Sequence, residues 1–186
     1  MYLWVRLCKF EPIANLMTFR YCYLRPGKSR PYWARSKAVG ASCFVYFIPA
    51  LCYFELARGC DCHKTYGLSS IMAIGFFLVA ITAFMSEFVH IPELSASEKS
   101  DFCLNPARYP PSLWGIRDRY LSFVVTCLGS FEGVGRVGTI EVVVALSLCS
   151  GFISLSRNAT STEDWIIRHS VWHIASSLIA SIITIL

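Results

Sequence analysis

The chain has 186 residues, 55% of them hydrophobic, a mean hydropathy of +0.50 and a formal charge of +5 from 17 Lys plus Arg against 12 Asp plus Glu. A soluble core of this size cannot hide that much apolar surface, which falls in long blocks, so composition excludes a water-soluble globular domain and implies a multi-pass membrane protein. Eight of the basic residues precede Ala38, a juxtamembrane distribution that implies the membrane, and neither DNA nor RNA, as partner. Nine cysteines would suit a disulfide scaffold, but Cys43, Cys52, Cys127 and Cys149 sit inside apolar runs, where cysteine behaves as a small hydrophobe.

In chain order, residues 1–37 hold Pro12, Pro26, Pro31 and a basic run from Arg25 to Lys37 and read as an interfacial segment. They lack the layout of a secretory signal. Residues 38–57 and 68–90 each reach the roughly 20 apolar residues that cross ~30 Å of hydrocarbon. Between residues 91 and 118, Pro92, Pro106, Pro110 and Pro111 mark the one long polar loop. The run 119–135 is strongly apolar only from Tyr120 to Phe131 and is read as a short crossing or a re-entrant segment. Residues 138–156 and 165–186 complete the set, the last opening on Trp165 as an interfacial anchor behind Glu163 and Asp164. The expected architecture is an all-α, multi-pass transmembrane bundle of about five helices over 38–186. No separate soluble domain is left over.

The chemistry starts on the last helix, where His169 and His173 stand four residues apart, on one helical face and about 6 Å apart at Cβ. Two imidazoles at that separation can share one metal ion. Ionisable groups inside a membrane are expensive and so are functional candidates. The second apolar run ends in another such pair, Ser86 and His90, with Asp101 eleven residues beyond His90. If all five segments cross, helix two delivers His90 to the membrane face from which helix five departs through His169. An even number of crossings thus puts every candidate ligand on one side.

The order Ser86-Glu-Phe-Val-His90, Asp101 and His169-Ser-Val-Trp-His173 resembles the CREST superfamily of membrane hydrolases. That group spans alkaline ceramidases, adiponectin-type receptors, GPI-anchor-remodelling lipases and myomaker-like proteins. The step from His90 to Asp101 is similar to the ceramidase and GPI-lipase branches, whereas the stretch from Asp164 to His173 is more similar to the myomaker branch. The resemblance covers residues 68–104 and 158–186. It implies a shortened version of a seven-helix fold, with His90, His169 and His173 binding zinc and a water in the fourth, open position. It further implies that Asp101 orients the water and moves its proton, that Ser86 hydrogen-bonds the water or the oxyanion, and that the substrate is a lipid amide or ester. Because the family's carboxylate begins a helix, Asp118 is an alternative to Asp101 for that role.

Other groupings carry less. Cys60, Cys62 and His63 match no standard zinc spacing, and Glu55, Glu87, Glu132 and Glu141 are membrane-region carboxylates that would suit a proton relay. Orientation is contested within the sequence. With Arg168 inside the last run set aside, thirteen Lys plus Arg lie on the histidine face against Arg58, Lys64 and Arg136 on the other, which makes the histidine face cytoplasmic. The sequon at Asn158 on the same face is usable only in a lumen. The expected residence is the endoplasmic reticulum, Golgi or plasma membrane. Two functions stand as expectations: a zinc-dependent intramembrane lipid hydrolase, or a non-catalytic receptor-like or myomaker-like membrane protein with a structural zinc site.

Overall fold

The computed structural model describes residues 36–59, 63–89, 113–159 and 162–186, and every element among them is helical. The first rod begins where Ser36 caps α1 (Lys37–Cys43) by accepting a hydrogen bond from the Val39 amide. It tightens through a 3-10 turn at Phe44–Tyr46 and continues as α2 (Phe47–Gly59). Pro49 accounts for the break: it has no N–H to give to the carbonyl four residues back, so Val45 O takes its backbone bond from the cap of the 3-10 turn instead. Ser177 of the last helix adds a second bond to that carbonyl, its hydroxyl donating to Val45 O at 2.7 Å, and so joins the first and last rods.

The second rod is α3 (His63–Phe84), finished by one π-helical turn at Met85–Val89. A π turn adds a residue to the backbone cycle and so rotates the side chains beyond it away from their positions on a continuous α-helix. Glu87 lies in the middle of it. The third rod, α4 (Leu113–Arg136), is one unbroken helix, which removes the re-entrant option for residues 119–135. It runs antiparallel to α3: Thr82 meets Asp118, a side chain at Gly75 would strike Val125, and Ser69 meets Glu132 at the far end. From Ser69 to Thr82 is about 20 Å at 1.5 Å per residue, so α4 covers the same depth as α3. A two-residue link with Gly138 at φ 107°, a conformation that disfavours any Cβ, turns the chain into α5 (Thr139–Arg157). The chain ends in α6 (Thr162–Ile185).

Among the described residues, four helices are long and apolar enough to cross a membrane: Lys37–Gly59, Tyr66–Val89, Thr139–Ser156 and Glu163–Ile185. α4 falls outside that set because Arg117, Asp118, Arg119, Glu132 and Arg136 dilute it. Large apolar side chains, among them Leu51, Ile74, Phe131, Ile140 and Ile182, are exposed around the bundle, as lipid-facing positions require. The core packs Tyr46, Tyr53, Met72, Val79, Ala80 and Val125 between α2, α3 and α4. α6 turns a polar face inward instead: His173, Ser177, Ser181 and Thr184 are all buried. Ser181 and Thr184 return their hydroxyls to carbonyls of their own helix at 2.9 and 2.8 Å, so small residues let the rods approach closely.

Candidate metal centre

The rods converge on Glu87 at the end where α3 finishes and α6 begins. His169 and His173 share a face of α6, with ring centroids 4.7 Å apart. Glu87 lies against both: its Oε1 is 2.9 Å from His169 Nε2 and its Oε2 is 3.4 Å from His173 Nε2. Each ring is held from behind by a serine, His173 Nδ1 lying 2.9 Å from Ser42 Oγ of α1 and His169 Nδ1 2.8 Å from Ser156 Oγ of α5. Four helical segments therefore orient two imidazoles and one carboxylate. Side-chain exposure is 1% for His173, 12% for His169 and 17% for Glu87, so the charges involved sit largely outside water.

Packing fixes this arrangement. A Cβ at Gly40 would lie 2.8 Å from Phe88 Cδ2, so glycine there lets α1 approach the π turn and brings Cys43 to Glu87 and Ser42 to His173. Trp165, expected at the interface, is buried and stacks on His169 with centroids 4.6 Å apart. Tyr46 closes on His173 edge-on at 5.6 Å and shares a hydrogen bond with Ser176 at 2.8 Å.

The two histidines are not equivalent. Ser42 Oγ lies 2.8 Å from Val39 O and 2.9 Å from His173 Nδ1, so its one hydroxyl hydrogen serves either the carbonyl or the ring. When it goes to Val39 O, His173 Nδ1–H donates to Ser42 and Nε2 is left with a lone pair toward Glu87 Oε2, the tautomer that offers Nε2 to a cation. His169 Nε2 lies closer to Glu87, and its Nδ1 meets the Ser156 hydroxyl. A third potential ligand borders the gap: Cys43 Sγ lies 3.7 Å from Glu87 Oε2. The ligand atoms of Cys43, Glu87 and His173 all lie within 4.8 Å of one another, a donor set that fits zinc.

The chain matches no family model, no curated protein and no solved structure.

Of the residues singled out in the sequence, His169 and His173 come together as the helical spacing requires. Ser86 is partly buried in the π turn beside Glu87, and among the described residues no hydrogen bond joins it to either histidine. His90 and Asp101, with Cys60 and Cys62, lie outside the described residues. Asp118 accepts from Thr82 Oγ1 at 3.3 Å and is near enough to Glu87 for their charges to interact, which puts the alternative carboxylate at the histidine end. Glu87 and Cys43 are the residues that sequence reasoning passed over as site members. The signal for Glu87 was present, as a carboxylate inside an apolar run and between Ser86 and His90. For Cys43 there was none.

Proposed function

We propose that this chain is a metal-dependent membrane hydrolase that cleaves an amide or ester bond of a lipid. The observation that carries this reading is the convergence of Cys43, Glu87 and His173 in a mostly buried site, their ligand atoms all within 4.8 Å of one another, a donor set that suits a divalent cation. Zinc is the ion that suits histidine, carboxylate and thiol donors together, and bound there it supplies a Lewis acid that activates water for attack on a carbonyl. His173 and His169 would hold the ion through Nε2, with Glu87 neutralising part of its charge. Ser42 and Ser156 fix the rings through Nδ1, the usual task of groups behind a metal ligand. The resemblance to CREST hydrolases adds His90 as a further ligand, Asp101 or Asp118 as the group that accepts the water's proton, and Ser86 as a donor to the oxyanion. A site at the end of four apolar helices meets lipid carbonyls more readily than soluble metabolites.

The test is metal analysis of the full chain purified in detergent, joined to fatty-acid release from ceramide and from phospholipid. About one zinc per chain is expected, lost in His173→Ala and Glu87→Ala, with release abolished by a chelator and restored by zinc. A chain with no bound metal sinks the proposal. Bound zinc with no release from either lipid favours a second reading, a non-catalytic receptor-like or myomaker-like protein stapled by a structural ion. The specific observation on that side is Cys43, whose sulfur borders the position an activated water needs.

A further inference from the structure

We propose that Cys43 is itself a ligand of the ion, so that the resting centre is closed by one thiolate, one carboxylate and two imidazoles and opens only when the sulfur gives up its place. This rests on the metal-binding reading above and concerns how that site is regulated. Cys43 is completely buried, and its thiol is 3.7 Å from Glu87 Oε2, the oxygen that also faces His173 Nε2 at 3.4 Å. The second observation is that imidazole, a side chain only 1% exposed whose Nε2 is aimed at the same carboxylate oxygen. Zinc–sulfur bonds of ~2.3 Å and zinc–nitrogen bonds of ~2.0–2.1 Å put tetrahedral S and N ligands roughly 3.6 Å apart. The three ligand atoms lie within 4.8 Å of one another, so a contraction of about 1 Å closes them on an ion, and His169 comes with them through its contact with Glu87.

Other cysteines make the contrast. Cys127 is exposed and Cys149 half-buried, and neither joins a group of three potential metal ligands among the described residues. Cys43 is aimed at a carboxylate and an imidazole. Binding forms a sulfur–metal bond and releases the thiol proton to solvent, leaving a thiolate that only the cation stabilises so far from water. Such a donor selects thiophilic ions, zinc above magnesium or calcium. Filling the fourth position also removes the water that hydrolysis needs, so turnover requires water to replace Cys43 on the ion, the departing thiolate taking back a proton from that water. The π turn and the Gly40 contact with Phe88 place that movement where α1 meets α3.

Cobalt substitution in the metal-stripped full chain tests this by absorbance. Visible bands of a four-coordinate cobalt site are expected together with a near-ultraviolet thiolate-to-cobalt band. Cys43→Ser, which keeps the hydrogen bond the thiol makes to Val39 O at 3.3 Å, should abolish the near-ultraviolet band, keep the visible ones and weaken cobalt binding by about 10-fold or more, the least that loss of even an outer partner costs. Cys149→Ser should keep both. Visible bands without the near-ultraviolet band in the unaltered chain, or the same band surviving in Cys43→Ser, overturn the role of Cys43 and leave the metal reading standing. No cobalt spectrum at all overturns both.

Discussion

Glu132 and Glu87 are carboxylates held inside this bundle, one near each end, and they are neutralised in opposite ways. Glu132 receives Arg136 from the next turn of its own helix, at 2.8 Å from Nη2 and 3.2 Å from Nε to Oε1, with Ser69 of α3 at 3.4 Å. Glu87 meets two imidazoles from a helix 82 residues away. A guanidinium is charged at any accessible pH and sits one turn away by construction. Imidazoles are charged only when protonated and otherwise offer lone pairs to a metal. The Glu132 end is therefore a permanent structural pair, whereas the Glu87 end has an exchangeable counter-charge. Glu55 marks the contrast from outside, paired with Arg58 while both are 66% exposed, where an ion pair contributes little.

The largest expected effect tests whether the Glu132 end is only structural. Arg136→Leu strands a carboxylate that is 7% exposed and should destabilise the bundle by about 3–5 kcal/mol. Adding Glu132→Gln should recover most of that in denaturant unfolding, with zinc per folded chain unchanged throughout. Zinc loss from the folded fraction would erase the distinction between the two ends. At the other end, zinc at a hundred times its Kd should stabilise the unaltered chain by ~2.7 kcal/mol, read as a rise in Tm. Glu87→Ala should show no such rise, because a direct ligand is worth more than the ~10–100-fold in affinity that outer partners contribute. A normal zinc-dependent rise in Glu87→Ala would move the ion away from Glu87.

The fold was largely legible because apolar run length sets helix length in a bilayer: the helices at Phe47–Gly59, His63–Phe84, Leu113–Arg136, Thr139–Arg157 and Thr162–Ile185 overlap the five expected runs. The third was the hardest, since Asp118, Arg119 and Glu132 interrupt its apolarity, and pairing with α3 is what makes it continuous. The histidine pair was legible from four-residue spacing alone. Glu87 was only half legible, because nothing local separates it from Glu55, Glu132 or Glu141, and the π turn that aims it is a tertiary outcome. Cys43 and Ser42 were not legible at all. Ser42 reaches His173 across 131 residues of chain and Cys43 reaches Glu87 across 44, contacts that depend on Gly40 against Phe88 and on Ser177 against Val45 O.

The smallest effect discriminates most finely, because it sets the two histidines against each other inside one site. Ser42 Oγ sits between Val39 O and His173 Nδ1, whereas Ser156 Oγ backs His169, whose Nε2 meets Glu87 Oε1 at 2.9 Å. Only His173 belongs to the compact group with Cys43 and Glu87. Ser42→Ala should therefore weaken zinc binding toward the upper part of the ~10–100-fold range for partners behind a ligand, and Ser156→Ala toward the lower part. Both variants keep Glu87, so the permanent charge of the site is constant and the difference reports orientation alone. Competition against a chromophoric chelator measures both. Equal losses would mean that the two rings hold the ion alike and that the tautomer of His173 is not set by Ser42. A larger loss in Ser156→Ala would shift the centre of the site from His173 toward His169.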